Sequence, residues 1–269
     1  MRLLQKETLE LDSAFRANFK KSPTFEQLMA IEGQVFKNAG CRKTMRFEVA
    51  SNGYFIKIHY GVGWREIFKN LISARLPVIG AQNEYDAIHK LAELKIESLQ
   101  LIGFGRRGIN PARQQSFVIT NELADHISLA TLSQHWVDHP PKPSIKRQLI
   151  GQVASIARSL HENGINHRDL YLCHFLLQKQ SNVDDSRSVL HLIDLHRVQI
   201  RSSTPLRWRI KDLSALYFSS MDIGLSRTDL LRFVREYTTE KNLRASLTNN
   251  ADLWKQVERK ASLLYQKHH

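Results

Sequence analysis

The chain has 269 residues, 42% hydrophobic and 24% charged, an ordinary globular balance and long enough to bury a core without disulfide staples. Its two cysteines, Cys41 and Cys173, stand far apart, which excludes a disulfide framework or a zinc spacing and points to a reducing cytosol. No window nears ~18 uninterrupted apolar residues and the charged N-terminus lacks a signal-peptide core, while the net charge of +13 calls for an anionic partner.

In chain order, residues 31–60 read as β structure, with turns at Asn38-Ala39-Gly40 and Ser51-Asn52-Gly53. Within this stretch, alternation puts Phe55, Lys57 and His59 on one strand face and Tyr54, Ile56 and Ile58 on the other. Residues 64–75 and 82–95 have helical spacing, separated by Leu76-Pro77-Val78-Ile79-Gly80. Strands follow at 99–105 and 115–121, and Leu123 to Ala130 reads as a connection between lobes. Past Pro140-Pro141-Lys142-Pro143, Ser144 reads as the N-cap of a long helix. Its stripe is Ile145, Leu149, Val153, Ile156, Ala157 and Leu160, and Gly164 stops it. Two short strands, Phe175 to Leu177 and Val189 to Ile193, flank a polar loop, and helices fill about 210–222, 226–238 and 250–266. This order predicts an α+β, bilobal, protein-kinase-like fold: a β-rich N-lobe over 1–123, a mainly helical C-lobe over 124–269, and a nucleotide cleft between them.

Chemistry concentrates where the long helix ends, in Leu160-His161-Glu162-Asn163-Gly164-Ile165-Asn166-His167-Arg168-Asp169. Phosphoryl transfer requires one carboxylate to orient the attacking hydroxyl and take its proton late, and another to hold the metal on the nucleotide phosphates. Asp169 suits the first role. Asp194, at the end of the apolar run Val189 to Ile193, suits the second, because Mg²⁺ prefers hard oxygen ligands. His174 lies five residues beyond Asp169, where protein kinases place a metal-binding Asn. Lys57, inside a strand pattern, would contact phosphates, with Glu84 or Glu66 as its partner. His167 and Arg168 are expected to hold the loop, and His161 to pack at the helix end. Asp212 is expected at a helix start, either as a first-turn carboxylate or as a brace for the catalytic-loop backbone. No G-x-G-x-x-G precedes Lys57, the metal motif reads Asp194-Leu195-His196, no Ala-Pro-Glu follows, and Tyr171 stands where Ser/Thr kinases carry Lys. These departures argue against a protein-kinase activation segment. The basic groups Arg106, Arg107, Arg113 and Arg201, Arg207, Arg209, Lys211 come with no recognition helix, zinc finger or aromatic RNA signature, so nucleic acid falls away.

The run His167 to Leu177 resembles the catalytic loop of the lipopolysaccharide core heptose(I) kinases. So do Tyr54 to His59 with Gly61-Val62-Gly63-Trp64, Leu76 to Ala81 leading to Glu84, Ile193 to Arg197, and Arg207 to Leu213. The resemblance extends from about Gly33 to Tyr237. It implies an ATP- and Mg²⁺-dependent kinase that phosphorylates the 4-hydroxyl of the first heptose of the lipopolysaccharide inner core, cytoplasmic and peripheral at the inner membrane. By the same resemblance Asp169 is the base, Asp194 the Mg²⁺ ligand with His174 beside it, Lys57 the phosphate contact and Glu84 its partner. An anionic glycolipid acceptor fits the basic surface, which also suits anionic lipid headgroups or an acidic protein such as acyl carrier protein. Arg197, Arg201 and Arg207 are the nearest candidates to flank the acceptor.

Overall fold

The computed structural model describes residues 6–72, 80–179 and 189–268, with the side chains of Glu66, Asn70 and Leu71 left aside. The chain forms two compact units, one of Met1–Lys90 with Leu99–Ala124 and one of Leu91–Ser98 with Asp125–His269.

The first unit is built on one antiparallel sheet. In chain order it contains β1 (Glu7–Leu11), α1 (Ser13–Ala17), α2 (Phe25–Met29), β2 (Gln34–Ala39), β3 (Arg42–Val49), β4 (Asn52–His59), α3 (Gly63–Ile72), most of α4 (Gln82–Glu93, of which residues from Leu91 on fall in the second unit), β5 (Leu101–Arg107) and β6 (Gln115–Asn121). The sheet order is β1-β5-β6-β4-β3-β2, and β4 is central, with Lys57 paired to Thr44 and Val118. Pleat alternation sends Tyr54, Ile56 and Ile58 into a core shared with Met45, Phe47, Phe117 and Ile119. Phe15 of α1 and Phe25 and Leu28 of α2 close that core.

The sequence reading did not pick out the N-terminal elements β1, α1 and α2, although two signals for them are present. Asp12 caps α1, accepting from Phe15 N at 3.0 Å. Thr24 and Gln27 form a reciprocal capping box on α2. The second hairpin turn falls at Ala50 and Ser51, both at positive φ, rather than at Asn52-Gly53, which already belong to β4. Gly53 is glycine for another reason: a Cβ there would meet the Glu122 carboxylate at 1.9 Å, where Glu122 pairs with Arg46 at 2.7 Å.

The second unit is mainly helical. Its elements are β7 (His126–Ser128), α5 (Leu129–Ser133), α6 (Pro143–Glu162), β8 (Ile165–Asn166), β9 (Phe175–Gln178), β10 (Leu190–Leu192), β11 (Gln199–Ile200), α7 (Leu206–Phe218), α8 (Arg227–Thr238), α9 (Leu243–Thr248) and α10 (Ala251–His268). The stretch expected as a plain connection contains β7, which adds a third strand to the β9–β10 hairpin. A three-residue strand has too few positions to show alternation. α6 is capped at Lys142 with Pro143 in its first turn, not at Ser144; proline's fixed φ and missing N–H suit that position. α7 likewise begins at Leu206 after Pro205, four residues before the expected start, so Asp212 lies inside the helix. The stretches Leu76-Pro77-Val78-Ile79 and Gln180 to Ser188, both singled out in the sequence, lie outside the described residues.

Candidate active site

In the first unit, Lys57 projects from the sheet face opposite the apolar core and meets Glu84, in the first turn of α4, at 2.6 Å. The Glu84 side chain is 1% exposed. Its second carboxylate oxygen has no hydrogen-bond partner among the described residues, so the ion pair with Lys57 alone offsets the burial of this charge. The side chain of Glu66, the alternative partner, lies outside the described set.

In the second unit, the loop after α6 is fixed from below. Gly164 takes φ +74, and a Cβ there would run into the Arg201 carbonyl at 1.9 Å. That close approach lets β8 pair with β11, Asn166 opposite Gln199. Asp212, fully buried, reaches up from α7 and accepts from the backbone N–H groups of His167 and Arg168 at 2.6 and 2.8 Å. It also lies 3.5 Å from His161 Nε2, whose ring is held by the Tyr237 hydroxyl at 2.8 Å. Asp212 is thus the loop brace, not a first-turn helix carboxylate. Its grip fits a backbone that turns left-handed at Arg168, φ 74. His167 is wholly buried, and burial pushes its pKa below 6.5; the neutral ring donates from Nε2 to the Ile193 carbonyl at 3.0 Å.

Asp169 emerges from this support. Both of its carboxylate oxygens accept from Arg197 Nη1, at 2.9 and 2.8 Å. His174 donates from Nδ1 to the Asp169 carbonyl at 2.7 Å, which turns its Nε2 toward Asp194, 3.5 Å from Oδ2. Asp194 follows β10 with left-handed φ of 63, and its Oδ1 accepts from His196 Nδ1 at 2.6 Å. Burial opposes charge on His174. Its hydrogen bonds to Cys173 and the Asp169 carbonyl, with the nearby Asp194 charge, outweigh that and raise its pKa to about 9.

The expected residues therefore form two sets: Lys57 with Glu84, and Asp169 with His174 and Asp194. Two participants were missed. His196 was read only as a departure from Asp-Phe-Gly, and Arg197 only as an acceptor contact. Their position directly after Asp194 was the available signal, since a 3-10 turn over Leu195–Arg197 folds both side chains back toward the carboxylates.

A β-sheet lobe with a lysine–glutamate pair and a helical lobe with a braced His-Arg-Asp loop define a protein-kinase-like phosphotransferase. The family model for the lipopolysaccharide kinase (Kdo/WaaP) family matches residues 26–237. The chain belongs to that family. It is 47% identical over 261 residues, 96% of either chain, to the lipopolysaccharide core heptose(I) kinase WaaP of Pseudomonas aeruginosa. It is 41% identical over 254 residues, 94% of this chain and 96% of the other, to WaaP of Escherichia coli. A solved structure of WaaP in complex with acyl carrier protein superposes with a TM-score of 0.82 at 42% identity, covering 96% of this chain and 99% of that one.

Proposed function

We propose that this enzyme phosphorylates the first heptose of the lipopolysaccharide inner core at its 4-hydroxyl, using ATP, with Asp169 as the base. The observation that carries the reading is the connection between the two carboxylates: His174 bonds the Asp169 carbonyl through one ring nitrogen and turns the other toward Asp194. Asp169 would orient the acceptor hydroxyl and take its proton late in transfer. Arg197, on both oxygens of Asp169, holds the carboxylate in one rotamer. Lys57, fixed by Glu84, would hold nucleotide phosphates.

The residues fit Mg²⁺. Asp194 is a partly exposed hard-oxygen ligand. Among the described residues no three His, Cys, Asp or Glu side chains form a cage, which suits an ion that takes most of its shell from waters and phosphate oxygens. Asp194 would hold it, His174 would join through Nε2 only on giving up the proton that its raised pKa of about 9 retains, and the bound ion would neutralise phosphate charge.

The net charge of +13 supports an anionic glycolipid acceptor, contact with anionic headgroups at the inner membrane from the cytoplasmic side, and an acidic protein partner such as acyl carrier protein. No described helix is long and apolar enough to cross a membrane.

The test is phosphate transfer from ATP-Mg²⁺ to lipopolysaccharide whose core heptose lacks phosphate. Wild type is expected to transfer and Asp169→Ala to lose at least about 10²-fold in kcat, a typical contribution of a general base, with ATP binding retained. A folded wild type that binds ATP but leaves this acceptor unmodified would refute the assignment of acceptor.

A further inference from the structure

One indole is surrounded by cations. Arg168, Arg201, Arg207 and Lys211 all place their charged groups within 5.8 Å of the Trp208 ring centroid. Each gains some attraction from the ring face, while Arg207 repels Arg201 and Arg168 repels Lys211. Among the described residues, Arg201, Arg207 and Lys211 have no carboxylate within ion-pair distance. Arg201 donates instead to the neutral side-chain oxygens of Asn166 and Gln199.

The local carboxylates are already engaged. Asp169 is held by Arg197, and Asp212 accepts from the His167 and Arg168 backbone. Holding these cations is also costly. Burial, then Arg207, pushes the Arg201 pKa down. Burial first, then Arg197 and Arg168, lowers that of Lys211, with Asp169 and Asp212 opposing. α7 starts here with no side-chain cap and no acid in its first turn, so the positive end of its dipole adds to the field.

The cluster also adjoins the candidate base. Lys211 precedes Asp212, whose side chain fixes the two residues before Asp169. Arg201, Arg207 and Lys211, partly buried or exposed beside a candidate catalytic carboxylate and with no ion-pair partner among the described residues, suit an external anion.

We infer that Trp208, Arg201, Arg207 and Lys211 form an oxyanion subsite that recognises the acidic group, carboxylate or phosphate, carried by the glycan unit next to the accepting hydroxyl. This rests on the glycan-kinase reading above and deepens it. It also reassigns one residue: Arg197 serves Asp169, while Arg201 and Arg207 serve the acceptor, joined by Lys211 and Trp208. The indole gathers the cations around one ring, and their guanidinium and ammonium groups match an oxyanion.

The experiment compares the acidic core oligosaccharide with forms in which its carboxyls are esterified, its phosphates removed, or both. Wild type, Arg207→Gln, Arg201→Gln and a charge-matched control, Lys37→Gln on exposed β2, are each tested for acceptor KM, kcat, ATP KM and glycan Kd by calorimetry. Arg207 is exposed and makes no side-chain hydrogen bond among the described residues, so its variant is expected to fold. The expected result is a tenfold or greater rise in acceptor KM and Kd for Arg207→Gln on the acidic glycan. ATP KM should hold, Lys37→Gln should shift KM less than twofold, and wild type and variant should coincide on the doubly neutralised glycan. Loss of the difference on esterification alone assigns a carboxylate; loss on phosphate removal alone assigns a phosphate; either supports the subsite. An equal penalty on acidic and neutralised glycans, or none, overturns it. Should wild type phosphorylate no glycan, the reaction assignment fails, and calorimetry still decides the subsite: selectivity for the acidic form that Arg207→Gln abolishes sustains it, and no selectivity ends it.

Discussion

Asp212 shows how much one buried side chain can organise. It has no exposure, yet its two oxygens receive the backbone N–H groups of consecutive residues at 2.6 and 2.8 Å. Those bonds hold the chain in the left-handed step at Arg168 that presents Asp169. In Asp212→Asn an amide N–H₂ replaces one acceptor and faces a donor, leaving a buried N–H unsatisfied. The expected cost is roughly 3 kcal/mol of stability, read as a lower midpoint in denaturant titration. Because the loop relaxes as well, kcat should fall more than ATP KM rises. Unchanged turnover in a destabilised enzyme would show that the brace is needed only for folding. This residue was legible in sequence as a candidate brace. The pairing of Arg197 with Asp169 was not, because spacing along a chain does not say which of several arginines folds back onto a carboxylate.

At the scale of elements, the small sheet β7-β9-β10 carries a second kind of constraint. His191 of β10 stacks edge-on against His126 of β7, with ring centroids 4.8 Å apart. Burial, then the charge His126 can carry, lowers the His191 pKa below 6.5, with Glu97 opposing. A depressed folded-state pKa means the unfolded chain takes up a proton first. The stabilising effect of the neutral ring is therefore complete above pH 6.5 and is lost as pH falls below it. Tm is expected to fall with acidification through this window, and more shallowly in His191→Gln; an unchanged slope in the variant would remove His191 from the account. The long, strongly periodic elements were read to within a few residues, α6 and α8 among them. Short elements were not: β7, β8 and β11 have two or three residues, and pairing with distant strands makes them, rather than any local pattern. Proline explains the shifted starts of α6 and α7. The N-terminal α1 and α2 were legible in their caps but passed over, since five-residue helices offer no stripe.

Across the whole molecule, 39 Lys and Arg against 26 Asp and Glu make a positive field that a charged acceptor would sense before contact. Exposed charges lose sight of each other beyond about 10 Å at 0.1 M salt. Acceptor kcat/KM is therefore expected to fall steeply as salt rises from about 0.05 to 0.3 M, and more steeply than the same ratio for ATP, if steering by the surface governs capture. Equal slopes for the two substrates would show no steering of the acceptor beyond that of the nucleotide, and a flat acceptor slope would confine the electrostatics to nucleotide binding.

The place of β1 in the sheet has a consequence for how the protein is made. Among the described residues its only partner strand is β5, with Thr8 opposite Arg106. During synthesis β2, β3 and β4 can zip together as each emerges, while β1 must wait until Arg107 has left the ribosome. Throughout that interval Leu9 and Leu11, which later pack against the core, have no sheet to join. Of the strands of this sheet, the first in chain order is among the last to be placed, and the nascent chain carries an unsatisfied apolar edge that chaperones can recognise.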